Sequence, residues 1–159
     1  MSSNDLDNFD FSSGEAGASE TIPMEAGQIR KGGYIMIKGQ PCKVSDVSTS
    51  KTGKHGHAKC NFIAYNIFNN KRLEDMVPST HGTTVPVVSR MEYTLVDIDD
   101  EDYVSLMDEN GEIRDDLKLP EYPDNYAEEL KAEFGEKELL VTVLKACGQE
   151  QIISHKESQ

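Results

Sequence analysis

The sequence predicts an all-β protein made of two small barrels, with one short helix in the second. Three observations lead there. Strand-like runs are short and separated by frequent turn residues, only one segment has helical periodicity, and apolar content is a modest 36% with no Trp, which suits small barrels better than one thick core. The sign of the charge also changes along the chain. Residues 1–20 hold five acids and no base; residues 21–86 hold nine Lys/Arg against four acids; residues 87–159 hold seven against twenty. A basic unit between two acidic segments, within a total of −13, means that local charge governs what each face attracts.

Residues 1–20 are rich in Ser, Gly, Asp and Glu, with Phe9 and Phe11 as their only aromatics. Too little apolar surface is present to offset ordering, so a disordered acidic tail is expected. The barrel of residues 21–86 begins with Gly32-Gly33 before Tyr34-Ile35-Met36-Ile37, then turns through Gly39-Gln40-Pro41 into Cys42–Val47. Cys60–Phe68 alternates through Phe62 and Ala64, Asn69-Asn70 marks a turn, and Arg72–Val77 forms a last short strand. Around Val85-Pro86-Val87 the charge flips and a proline interrupts the chain, which sets the boundary with residues 87–159.

In the second unit Tyr93–Ile98 alternates, Asp99–Asp102 turns, and Tyr103–Met107 leads through the hairpin turn Asp108-Glu109-Asn110-Gly111 into Glu112–Leu117. Asn125 followed by Glu128 predicts a capping box, and Gly135 ends that helix. Tyr126, Ala127, Leu130 and Phe134 share one helical face, a core stripe. Leu139–Ala146 and Gln151–Ser154 complete the unit. Strands, one helix, then strands are compatible with an oligonucleotide/oligosaccharide-binding (OB) barrel.

No apolar run approaches the roughly 18 residues of a membrane span and no signal pattern opens the chain, so a soluble cytoplasmic protein is expected. Cys42, Cys60 and Cys147 form no CxxC pair, which leaves free thiols in a reducing compartment.

The segment Ser48–Lys59 reads as a long excursion from the first barrel, and it carries Lys51, Lys54, Lys59, His55 and His57 with no acid. A phosphate-binding P-loop fails, because Ser48 stands where a Gly belongs and His55 where Ser/Thr belongs. Gly53-Lys54-His55-Gly56 matches the GxxG of KH domains, but that loop joins helices and these flanks are β-like. His55, His57 and Cys60 lack a spaced fourth metal ligand, and a Lys or His catalyst lacks a carboxylate to tune it. Two readings stay open on residue chemistry: a solvated loop with incidental charge, or contact with RNA backbone. In the second, Lys51, Lys54 and Lys59 meet phosphates, His55 stacks or donates, and Gly53 and Gly56 allow close approach.

The twelve residues Ser48–Lys59 resemble the signature of the hypusine-containing eukaryotic translation initiation factor five-A family. The likeness extends through Gly39–Val44, Arg72–Asp75 and Pro78-Ser79-Thr80-His81, and more loosely through Tyr103–Asp108 and Asp115–Pro120. Cys60-Asn61-Phe62 and Gly82-Thr83-Thr84 depart from the family pattern. The resemblance implies an SH3-like first barrel and an OB-type second one. It implies no enzymatic activity and no cofactor or metal. Lys54 would instead receive a 4-aminobutyl group from spermidine through deoxyhypusine synthase and a hydroxyl from deoxyhypusine hydroxylase.

The same resemblance implies binding at the exit-site side of the ribosome. The loop, with Lys51, Thr52, Gly53, His55, Gly56, His57 and Lys59 in support of Lys54, would reach the acceptor end of peptidyl-site tRNA. There the factor would promote peptide-bond formation on stalled sequences such as proline runs, and assist termination. The acidic second unit is expected to meet protein, to touch tRNA over few contacts, or to act as a spacer. The alternative to all this is a general RNA-binding module that uses the basic loop without modification.

Overall fold

A computed structural model of the protein describes residues 20–51 and 58–158. The expected acidic tail, but for Glu20, lies outside the described residues. The chain divides into two compact units. One runs to Val87 and takes in Ala146–Gly148, and the other holds Val88–Lys145 and the residues from Gln149 onward.

Among the described residues, the regular elements of the first unit are strands and one 3₁₀ turn, Ala26–Gln28. Its strands are β1 (Thr21–Glu25), β2 (Tyr34–Ile37), β3 (Gln40–Lys51), β4 (Ala58–Asn66), β5 (Arg72–Pro78) and β6 (Gly82–Pro86). β2-β3-β4-β5 form one antiparallel sheet, and β1 pairs with β6. Arg72–Pro78 is therefore not the last strand. β1 and β6 escape the sequence reading because Pro23 and Pro86 interrupt them, and a two-stranded ladder tolerates proline where a central strand does not.

Along β4, Cys60, Phe62, Ala64 and Asn66 are buried and the residues between them are not, which is the period of a strand with one face on the core. On β3 the parity changes midway. Val44 opposes Ala64 but Asp46 opposes Ile63, so a bulge at Ser45-Asp46 returns Val47 to the inner face, opposite Phe62. Ile29, Ile35, Ile37, Cys42, Val44, Phe62 and Ala64 form the centre of the core. Asn66, buried and polar, makes three side-chain hydrogen bonds. Its Oδ1 accepts from the Phe68 and Asn69 amides at 2.7 and 3.1 Å, and its Nδ2 donates to Gln40 Oε1 at 2.9 Å. It thereby shapes the predicted Asn69-Asn70 turn.

The second unit is a five-stranded antiparallel sheet plus one helix. In chain order these are β7 (Ser89–Ile98), β8 (Tyr103–Met107), β9 (Ile113–Lys118), α1 (Tyr126–Phe134), β10 (Leu139–Ala146) and β11 (Gln149–Glu157), with spatial order β9-β8-β7-β10-β11. A bulge between Leu95 and Asp97 sets Leu95 and Ile98 on the same face and leaves Val96 exposed. The predicted hairpin turn is present: the Gly111 amide donates to Asp108 O at 3.0 Å, with Gly111 at φ 84°. β11 is longer than the Gln151–Ser154 run predicted for it.

The helix spans the predicted residues, and its stripe packs as expected, with Tyr126 and Leu130 buried and Ala127 and Phe134 against the same core. The capping box does not form. Asn125 is left-handed (φ 68°), and its side chain makes no cap hydrogen bond, because a capping residue needs extended backbone to aim its oxygen back at the first turn. Glu128 and Glu129 still place negative charge at the positive end of the helix. Gly135 follows the last helical residue in right-handed conformation, so it ends the helix without a left-handed cap.

Candidate functional site: the end of the β3–β4 hairpin

β3 and β4 pair without a break to their tips: Ser48 opposes Asn61, Thr49 Cys60, Ser50 Lys59 and Lys51 Ala58. Half of the segment read as a loop is thus ladder, and six residues, 52–57, join the strands. Polar Ser and Thr residues obscured this, since their exposed side chains carry no apolar alternation. Thr52, Gly53, Lys54, His55, Gly56 and His57 lie outside the described residues. Lys51 and Lys59 are described, and both are exposed.

Those two lysines diverge. Opposed residues share a face and neighbours alternate. Lys51 therefore lies on the face of Thr49, Ala58 and Cys60, whereas Lys59 lies with Ser50 on the other.

The hairpin base is braced from below. The Ser79 amide donates to Ala58 O at 2.9 Å, Ser79 O accepts from the Gly27 amide at 2.8 Å, and His81 O accepts from the Ala26 amide at 3.0 Å. Pro78–His81 thus ties β4 to the 3₁₀ turn. Gly27 is required by this approach, because a Cβ there would sit 3.1 Å from Ser79 O.

Beside the base lies a groove of about 740 Å³, whose lining includes Arg30 and Lys31, the acidic Glu25, and Thr49, Ser79 and Thr80. Arg30 is held there by a 2.6 Å hydrogen bond from its Nη1 to Gly27 O. Sequence reading missed Arg30 and Lys31, because nothing local connects them to a hairpin some 20 residues on; only the net positive charge of residues 21–86 hinted at them. Cys60, named as a possible metal ligand, is 3% exposed and belongs to the core. Cys42 is a buried free thiol whose pKa burial pushes up to about 11. It is a poor nucleophile there. His155, Glu129 and Glu133 are the one His/Cys/Asp/Glu group among the described residues close enough to share a metal ion, and they lie in the second unit.

A hairpin flanked by the exposed Lys51 and Lys59 on a small β unit, followed by a second β unit, defines a two-domain β protein. Residues 19–81 match the family described as "Translation initiation factor 5A-like, N-terminal", and residues 87–156 match "Eukaryotic elongation factor 5A hypusine, DNA-binding OB fold". The chain is 55% identical over 148 residues to eukaryotic translation initiation factor 5A-1 of Arabidopsis thaliana, covering 92% of this chain and 93% of that one. It is also 55% identical over 147 residues to factor 5A-1/2 of Solanum tuberosum, covering 92% and 91%. Among solved structures, a translation initiation factor 5A family protein from Naegleria fowleri superposes with a TM-score of 0.82 at 49% identity, over 87% of this chain and 99% of that one. A Methanococcus jannaschii factor 5A superposes with a TM-score of 0.68 at 30% identity, over 87% and 96%. The chain belongs to the translation initiation factor 5A family. It is a translation factor of two β domains, SH3-like and OB, from a family that carries hypusine. No helix among the described residues is long and apolar enough to cross a membrane.

Proposed function

We propose that Lys54 is the hypusine-bearing residue and that the β3–β4 hairpin presents it to the acceptor end of peptidyl-site tRNA, from the exit-site side of the ribosome. One observation supports this most: the hairpin is laddered to Lys51 and Ala58 and braced by Ser79, so the six residues that include Lys54 start and end on a hydrogen-bonded base. Lysine carries one hydrated charge on a flexible stem. Hypusine adds length, a second amine and a hydroxyl, and so can hold RNA phosphate and sugar farther from the barrel. Ordering the acceptor end lowers the entropic part of the barrier to peptide-bond formation, most where the substrates react poorly, as in proline runs, and during termination. The factor then needs no catalytic acid, base or metal. Deoxyhypusine synthase and deoxyhypusine hydroxylase are its modifying partners.

Mass spectrometry of the peptide containing Lys54, from protein made in its own cells, is expected to find the hypusine increment; an unmodified native pool would refute the reading. The competing reading, an unmodified RNA-binding module, treats Lys51, Lys54 and Lys59 as interchangeable and predicts equal, salt-sensitive losses for each Lys→Ala change. The opposed faces of Lys51 and Lys59 weigh against equivalence.

A further inference from the structure

We propose that Glu129, Glu133 and His155 form a binding site for a divalent transition-metal ion of the Zn²⁺ type, which pins helix α1 to strand β11. The three residues offer one nitrogen and two carboxylate oxygens, all within 4.8 Å of one another. The two glutamates stand one helical turn apart, so their side chains rise from the same face of α1. His155 comes from β11, and its side chain is only 11% exposed.

The imidazole is already oriented for the task. Its Nδ1 lies 2.6 Å from the hydroxyl of Tyr126, and its Nε2 lies 3.1 Å from Glu133 Oε2. Without metal, Nε2–H donates to Glu133 and Nδ1 accepts from the phenol. With metal, the single proton resides on Nδ1 and donates to the Tyr126 oxygen, which frees the Nε2 lone pair to face the carboxylates. A partner on the far ring nitrogen is the usual support of a metal-ligating histidine. Tyr126 suits that part because burial first, then Glu129 and Glu133, push its pKa up to about 12 and keep it neutral.

Charge points the same way. Glu133 is held as a carboxylate, its pKa lowered chiefly by the hydrogen bond with His155, and both glutamates act on Tyr126. A divalent ion would neutralise the pair. Donors around a tetrahedral zinc lie roughly 3.4 Å apart, given metal–ligand bonds of about 2.1 Å, so rotation of the exposed Glu129 side chain and a small shift of the half-buried Glu133 close the set. One imidazole with two carboxylates favours a borderline metal over Mg²⁺ or Ca²⁺, which take oxygen donors alone. Water completes the coordination.

The test is calorimetric titration of the full chain with Zn²⁺, with thermal unfolding in parallel and Co²⁺ absorption as a geometric readout. Saturable one-site binding and a raised Tm are expected. His155→Gln and Glu129→Gln should abolish both, and Tyr126→Phe should weaken affinity about tenfold as an outer-shell change. Replacing His55 and His57 should leave this binding intact. Glu129→Gln lies on an exposed position, so it keeps the proposal testable if His155→Gln does not fold. Absence of saturable binding overturns the site, as does Zn²⁺ affinity unchanged by Glu129→Gln or abolished by the His55/His57 replacement. None of these outcomes bears on modification of Lys54.

Discussion

At the scale of single residues, Lys54 and Gly27 carry different kinds of prediction. Lys54→Arg keeps the charge but removes the amine that modification requires, so folding and Tm should be unchanged while peptide synthesis on proline-rich messages falls to the level without factor. A reconstituted translation assay measures this. Gly27→Ala acts on the scaffold: its methyl meets Ser79 O at 3.1 Å and Ser79 Cβ at 3.3 Å. Either the 3₁₀ turn or Ser79 must shift, at a cost of about 1–3 kcal/mol typical of overpacking, read from urea unfolding. Phe62→Ala, at a fully buried position, should cost about 3–5 kcal/mol in the same measurement. Lys54 could be singled out from sequence because its neighbours carry a specific pattern. Gly27 could not, since the approach that requires glycine comes from a residue some 50 positions away.

Among elements, β9 and β11 are the two outer strands of the second sheet, and a side chain joins them. Arg114 on β9 reaches Glu150 on β11 through two hydrogen bonds of 2.9 and 2.8 Å, and also holds Asp116 and lies over the Tyr93 ring. Arg114 depresses the pKa of Glu150 from its ordinary 4.5, and that of Asp116 from 3.8. A carboxylate whose folded pKa is depressed adds stability above its unfolded pKa, and loses it as pH falls through the folded value. Glu150→Gln should therefore cost about 1–3 kcal/mol at pH 7, and the gap from wild type should narrow as pH falls from the ordinary carboxylate range through the depressed folded value. Urea titrations at pH 7 and down an acid series check this. Such a cross-edge pair is invisible in sequence, where Arg114 and Glu150 are 36 residues apart. Strands whose apolar residues alternate, such as Tyr103–Met107, are legible. β1 and β6 are not, because their prolines mimic loop, and the helix cap departs from expectation because Asn125 adopts backbone that composition does not encode.

For the molecule as a whole, the charge pattern read from sequence has a structural counterpart: Arg30 and Lys31 border the groove beside the hairpin that carries Lys51 and Lys59. Binding to RNA should weaken with salt, and the slope should come from the first unit. Replacing Arg30 and Lys31 together should lower the slope of log K against log salt by about 0.7 for each phosphate those two side chains neutralise. Filter binding over a salt series measures it. Replacing Lys118 and Lys156 of the acidic second unit should leave the slope unchanged.

The bulge at Ser45-Asp46 bears on which changes of length evolution can accept. Beyond it, one residue decides which way every side chain of the β3 tip points. A single insertion between Val47 and Lys51 would exchange the faces of Thr49 and Ser50 and carry Lys51 to the side now held by Lys59. Insertions in the Asp108–Gly111 turn would disturb no such parity. Homologous chains should therefore vary freely in length at that turn and hold the count fixed along the hairpin, or change it there only by two.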